Sequence, residues 1–263
     1  MVSAAKFKKA QNNLLKFRPF NDKITDLVHG LMAAKVQAAY LCPRKQERNV
    51  LLLLITSNNS LCGAFNSNII KEAKREYERV RIENPEANVC FYCIGSKGED
   101  VLRREGFSVI ARNHDCIDKP SVGATKHVFN DLVKGYRDGK FDRIVLVFNK
   151  FKNAATQELI AEPLIPMAKP EGQKRASIPP IVEPDKAALL DSLLPYYLQN
   201  LLHSAIMESH TAEHGARMTA MHQATENATA LHDELLLEYN KARQAAITDE
   251  ILEIVSGANA LNG

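Results

Sequence analysis

Residues 224–247 read ATENATALHDELLLEYNKARQAAI, a stretch without Pro or Gly. Its apolar residues Ala224, Ala228, Leu231, Leu235, Tyr239, Ala242 and Ala246 recur at steps of four and three, which places them on one face of a helix. The helical pattern extends both ways. No Pro follows Pro195, and only Gly215, Gly257 and Gly263 interrupt the remainder. Pro195 suits a first helical turn and Gly257 a stop. An unbroken helix between them is about 90 Å long at roughly 1.5 Å per residue. A globule of this chain length has a radius of gyration of about 18 Å and a diameter of about 50 Å. The sequence therefore predicts a helix that leaves its own domain and pairs with something. Ala242, Ala245, Ala246 and Ala258 make its end slim, suited to a sleeve formed by other subunits.

The partner within the chain is its beginning. Over residues 1–41, Phe7, Ala10, Leu14, Phe17, Ile24, Val28, Leu31 and Ala38 follow heptad steps, with Asn21 and Lys35 as polar interruptions. That is an a/d seam of one coiled-coil strand, bent locally at Pro19 by the loss of one backbone hydrogen bond. No acid precedes Asp22. A basic, acid-poor N-terminus admits a targeting peptide, a nucleic-acid arm or a solvated helix face; the solvated face is the preferred reading.

Residues 49–168 alternate β-rich runs with amphipathic stretches. Strands are expected at Asn49–Thr56, Asn88–Ile94, Phe107–Ala111, Arg143–Phe148 and Glu158–Pro166, with helices at Ala64–Arg81, Lys97–Glu105 and Ser121–Tyr136. The near-continuous apolar strands Leu51–Ile55 and Ile144–Phe148 imply a parallel sheet covered on both faces. Residues 169–184, rich in Pro, Lys and Glu, read as a linker, and 185–263 as the long C-terminal helix. The fold class is α/β: a long antiparallel coiled coil of the N- and C-terminal helices, with a Rossmann-like α/β domain inserted between them.

The 263-residue composition is that of a globular protein, 45% apolar and 25% charged. A net charge of +3 from 34 basic and 31 acidic residues makes no case for a nucleic-acid partner. The longest apolar run, Val50–Ile55, is far too short to span a bilayer. Five cysteines at irregular spacing argue against a disulfide framework.

Each candidate for chemistry has a structural competitor. No glycine spacing fits a dinucleotide fingerprint or a phosphate loop, and Gly95-Ser-Lys-Gly98 reads as an ordinary strand-to-helix turn. Cys62 lies between a strand and a helix, where a thiol can be activated, but the glycines of a nucleophile elbow are replaced by Ser60 and Ala64. His114 and His127 are its only candidate bases within the domain. Cys90 and Cys93, three apart on a strand, point to opposite faces and read as core residues. His210-Thr-Ala-Glu-His214 matches an inverted zinc-protease signature, but Glu226, Glu234 and Glu238 are too far along the helix to supply a third ligand. It reads as a chance match on a solvated helix. No catalytic residue, metal or cofactor is expected.

Taken together, these residues resemble the gamma-subunit family of F-type ATP synthases. The resemblance is carried by Glu208-Ser, Glu213-His-Gly-Ala-Arg-Met218, Ala220-Met221, Ala224-Thr225, Asn227-Ala228, the run Tyr239–Thr248, Glu250 and Glu253–Ala258. Thr56–Asn66 is similar to the family's second signature, and Lys6–Gln11 falls in its first. The resemblance covers essentially the whole chain. It implies a non-catalytic central rotating shaft that couples proton flow to ATP synthesis. The implied partners are the alpha and beta subunits, the epsilon subunit and the membrane c-ring, with no direct bilayer insertion. The implied location is peripheral, at the cytoplasmic face of a bacterial inner membrane. Arg243, Gln244, Ile247 and Thr248 would meet the loops gripping the shaft, Arg217 an acidic loop of the beta subunit, and Leu61, Phe65 and Asn66 the contacts of the foot. The family usually has Asp-Arg-Gly where Asn58-Asn59-Ser60 stands, and Gly at Ala64. Its members also begin about twenty residues earlier, or about 30 Å of helix, and Met1-Val2 aligns with an internal Met-Val. The expectation is a start placed at that internal Met, with Ile247–Leu261 frayed in the isolated chain. A standalone coiled-coil adaptor and a Cys62 hydrolase are the competing functions.

Overall fold

Leu51, Leu52, Leu53 and Leu54 follow one another on a strand, so neighbouring leucines face opposite sides and both faces need cover. In the computed structural model all four are fully buried. The structure describes residues 2–32, 44, 47–167 and 186–262. The tail of the expected first helix, 33–41, and the expected linker, 169–184, lie outside the described residues. The chain divides into two units, Met1–Thr219 and Ala220–Gly263.

The first unit is built on five strands: β1 Asn49–Ile55, β2 Asn88–Ile94, β3 Val109–Asn113, β4 Arg143–Phe151 and β5 Gln157–Ile165. Their order across the sheet is β3-β2-β1-β4-β5. The first four are parallel, with Leu52 opposite both Phe91 and Val145. β5 closes the sheet antiparallel to β4. It carries Pro163 on the edge, where a missing N–H costs no ladder bond.

Helices α2 (Phe65–Glu83) and α3 (Ser96–Arg104) cover one face through Ile69, Ala73, Val80 and Leu102. The other face, carrying Leu51, Leu53, Ile55, Ile144 and Leu146, is covered by α5 (Val122–Arg137), α1 (Val2–Met32) and the start of α6 (Lys186–Asn262). A short helix α4, Asp115–Asp118, precedes α5. It was not expected. Asn113 starts it, its Oδ1 accepting from Cys116 N at 3.0 Å.

α1 and α6 run antiparallel. The His29 ring meets Tyr197, and Arg18 pairs with Glu208, so the α6 partner moves eleven residues up as α1 moves eleven down. The expected seam residues Phe7, Ala10, Leu14, Ile24, Val28 and Leu31 are the buried residues of α1. They serve more than a coiled coil: Ile24, Val28 and Leu31 belong to the same core as the sheet.

Several boundaries differ from expectation. Pro195 lies inside α6, which begins nine residues earlier at Lys186. An interior proline costs about 3 kcal/mol, but Leu190, Leu194, Leu198 and Leu202 are all fully buried. At roughly 2 kcal/mol each, their burial outweighs it. Gly257 does not stop the helix, which continues to Asn262. β3 starts at Val109 rather than Phe107, because Gly106 turns at φ +84 and Phe107 packs edge-on to Tyr77 and Phe91. β4 continues to Phe151 because its ladder with β5 runs to Gln157.

The second unit is the C-terminal part of α6, exposed on all sides of the helix. Leu231, Leu235, Leu236, Leu237, Tyr239, Ile251, Ile254 and Val255 are among its exposed residues.

Candidate functional site

In a parallel sheet, ligands bind outside the carboxyl ends of the strands, where successive connections diverge. Here the chain winds outward from β1 to β2 and β3, then returns to place β4 on the other side of β1. The switch point is therefore between β1 and β4. Its mouth is framed by the loop after β1, residues 56–64, and the turn after β4, residues 152–156.

That mouth is filled by protein. Phe7 and Leu14 of α1 and Ala212 of α6 form one buried cluster with Cys62, Phe65 and Phe151. The Phe7 and Phe151 rings lie 5.8 Å apart. Beside them, Glu208 of α6 is buried, and its Oε2 accepts from the backbone N–H of Phe151 at 2.9 Å. Arg18 of α1 donates from Nε and Nη2 to the two Glu208 oxygens, each at 3.1 Å, and from Nη2 to the Phe151 carbonyl at 3.1 Å. One fork-to-fork ion pair thus ties both long helices to the end of β4. Further along, a Cβ on Gly215 would lie 3.2 Å from the Ala154 carbonyl oxygen, so a side chain there would require the turn after β4 to give by a few tenths of an ångström.

The loop after β1 is held equally firmly. Asn66, one residue into α2, accepts from Ser57 N at 3.0 Å and donates to Ser57 Oγ at 2.7 Å and Cys62 Sγ at 3.2 Å. Asn58 accepts from Ser96 N at 2.9 Å and donates to the His114 carbonyl at 2.8 Å, pinning the loops after β2 and β3. A carboxylate there could accept but not donate, so Asn58 serves three loops where an Asp would serve fewer. Arg217 of α6 donates to the carbonyls of Ser60 and Asn59, and to Glu213 Oε1 at 2.7 Å. Leu61 is left exposed, in the left-handed region at φ +66.

The residues singled out in the sequence fall into separate places. Phe65 is buried beneath the loop, Asn66 turns inward, and Leu61 points outward. Arg243, Gln244, Ile247 and Thr248 lie on the exposed helix of the second unit, where the Thr248 hydroxyl donates to the Gln244 carbonyl at 2.8 Å. Cys62 is buried beside Ser57 and Asn66. His114 binds Glu99 Oε2 at 2.9 Å instead, in a cluster with Arg103 and Arg112. Burial alone would raise the Glu99 carboxyl, but these three partners hold it below the usual range. Cys90 and Cys93 sit in the cores on opposite faces of the sheet. Burial pushes their thiols up to about 11 and about 12.

The His210–His214 run is not on a solvated face, contrary to expectation. It lines a cleft of about 790 Å³ with Lys6, Lys9, Asp118 and Arg217. The two rings are edge-to-face at 4.5 Å. Burial lowers both, and His214 reaches about 4 because His210, Arg217 and Lys6 add to it. Burial raises the Glu213 carboxyl, against the pull of Arg217. Among the described residues, no three His, Cys, Asp or Glu side chains come together as a metal site.

Sequence reasoning missed Arg18, Glu208 as its partner, and Gly215 as the close-packing point. Glu208 and Gly215 stand within the motifs quoted above, but nothing in the spacing assigns them a role.

A family model described as ATP synthase matches residues 1–261. The ATP synthase gamma chain of Christiangramia forsetii is 42% identical over all of this chain and 91% of its own length. That of Flavobacterium johnsoniae is 44% identical over the same shares. Among solved structures, a chain of the Euglena gracilis mitochondrial ATP synthase matches with a TM-score of 0.62 at 19% identity, covering 98% of this chain and 95% of that one. A chain of the Tetrahymena thermophila mitochondrial ATP synthase central stalk and c-ring matches with a TM-score of 0.60 at 22% identity, over 86% and 96%. At these identities the two structures attest the fold.

Proposed function

We propose that this chain, which belongs to the ATP synthase gamma-chain family, turns as a shaft inside a ring of alpha and beta subunits and passes rotation from a membrane c-ring to their catalytic sites. It is the gamma subunit, the central stalk of an F-type ATP synthase. The observation that carries the mechanical reading is the filled switch point. Where a nucleotide-binding relative of this sheet would hold its ligand, this chain holds its own two helices. A sheet domain built around a helix pair is suited to transmit force, and it contributes no catalytic group to the reaction.

The mechanism follows from unequal faces. A shaft whose surface differs from side to side stabilises different conformers of each surrounding subunit as it turns, and only that difference can shift their equilibria. Ile247 and its neighbours Arg243, Gln244 and Thr248 are assigned to the gripping loops, a reading their exposure supports. Arg217, which also holds the loop after β1, is assigned to an acidic loop of the beta subunit, a charge contact that depends on register. Leu61 is the foot's exposed contact, with Phe65 and Asn66 fixing the loop that presents it. The epsilon subunit and the c-ring are assigned to the sheet domain.

Among the described residues no helix is long and apolar enough to cross a membrane. Attachment through partners then places the chain peripherally, and its bacterial relatives support the cytoplasmic face of a bacterial inner membrane. Reconstitution with alpha and beta subunits tests this reading. A stalk makes ATP hydrolysis drive rotation; a hexamer indifferent to the added chain would contradict it.

A further inference from the structure

Glu208, Ala212, Gly215 and Thr219 recur on α6 at steps of four, three and four, so they share one face. That face meets the end of β4 and the turn after it. Glu208 takes the Phe151 N–H, Ala212 packs in the same cluster as Phe151, Gly215 abuts Ala154, and the Thr219 hydroxyl donates to the Ala154 carbonyl at 3.4 Å. From α1, Arg18 completes the Glu208 pair and takes the Phe151 carbonyl. Both outward-facing backbone groups of the last β4 residue are thereby bonded to the helix pair.

The core shared by the helices and the sheet resists displacement by close packing, but apolar contact is non-directional and does not by itself set an angle. Charge-assisted forked hydrogen bonds are directional and fix an angle as well as a distance. Turning the sheet domain about the axis of the helix pair would break them.

We propose that Arg18 and Glu208 are positioning residues that lock the sheet domain to the helix pair against rotation, so that torque crosses between them without slip. The proposal rests on the stalk function above. Neither side chain needs to touch nucleotide or any other subunit. Arg18 reaches its acceptors only because guanidinium offers several donors in a plane. A lysine carries its three donors on one nitrogen and cannot form the two-nitrogen fork on the carboxylate.

The test uses membrane vesicles whose ATP synthase carries this chain, reading ATP hydrolysis and ATP-driven proton pumping side by side. Arg18→Ala and Glu208→Gln are expected to keep hydrolysis within about twofold while pumping per ATP falls about threefold or more, since only the transmission is lost. Arg18→Lys should fall between. A purely structural role would lower both activities together, in proportion to the complex assembled, and would overturn the proposal. So would an unchanged ratio in both variants. If Arg18→Ala does not assemble, Glu208→Gln decides, because it keeps the side-chain volume and an acceptor for the Phe151 N–H. Wild-type vesicles that hydrolyse ATP without pumping would overturn the stalk function itself, an outcome distinct from failure of the lock.

Discussion

Replacing Leu14 by Ala tests whether the helix pair is built into the sheet domain. Leu14 is fully buried in the cluster that fills the mouth between β1 and β4. A buried Leu→Ala substitution costs about 2.7–5 kcal/mol, depending on how far the site collapses. Around Leu14 the rings of Phe7, Phe65 and Phe151 are rigid, which favours the upper part of that range. The flexible Met207 and Met218 pack against the same cluster and can move inward, which favours the lower part. We expect about 3 kcal/mol. With a denaturant slope of about 2–3 kcal/mol per molar urea, the midpoint should drop by about 1 M or more. Leu15, its neighbour on α1, is 52% exposed, so Leu15→Ala controls for helix propensity and should change stability by about 0.5 kcal/mol or less. Urea unfolding followed by a signal from the sheet domain reads both. Equal effects at the two positions, or a Leu14→Ala cost below about 1 kcal/mol, would refute the reasoning.

Gly95→Ala should cost about 3 kcal/mol or more, because φ is +96 and the new Cβ would sit 2.1 Å from the Thr56 carbonyl oxygen. Gly106→Ala, at φ +84 with open space around it, should cost about 1–2 kcal/mol in the same unfolding assay. By NMR, His214 should titrate near pH 4, and a midpoint above 6 would contradict the buried placement. Its folded value lies below the ordinary histidine value of 6.5. Between those values the unfolded chain takes up protons that the folded chain does not, so this histidine makes stability fall as pH falls through the window. Glu213, raised by burial, works the other way, and His214→Gln should remove the histidine's part of the slope. Cys62→Ala should leave ATP hydrolysis by the assembled complex within about twofold, and a larger loss would revive a nucleophile at that position.

Much of this architecture is legible in the chain. β1 and β2 could be placed because a run such as Val50–Ile55 is stable only with both faces covered. The antiparallel helix pair follows from a seam at one end and a long Pro-poor helix at the other. The opposed placement of Cys90 and Cys93 needed only the two-residue period of a strand. Other features depend on contacts that spacing does not encode. Arg18 and Glu208 are 190 residues apart, and nothing local marks either as half of a pair. The His210–His214 face looks solvated because the elements covering it, the start of α1 and the short helix α4, come from distant parts of the chain. Pro195 reads as a helix start because its cost is visible locally, while the buried leucines that offset it are tertiary.

Rotation of the chain itself is the most direct test of the account. Ile82 is 81% exposed on α2 of the sheet domain, and among the described residues Cys62, Cys90, Cys93 and Cys116 are buried, so Ile82→Cys in a chain whose fifth cysteine, Cys42, is replaced by Ser provides a labelling site for a probe. With alpha and beta subunits immobilised and ATP supplied, the probe should turn in one direction, and a cross-link between the second unit and the hexamer should stop rotation and hydrolysis together. A probe that stays still while ATP is hydrolysed at the full rate would contradict the account.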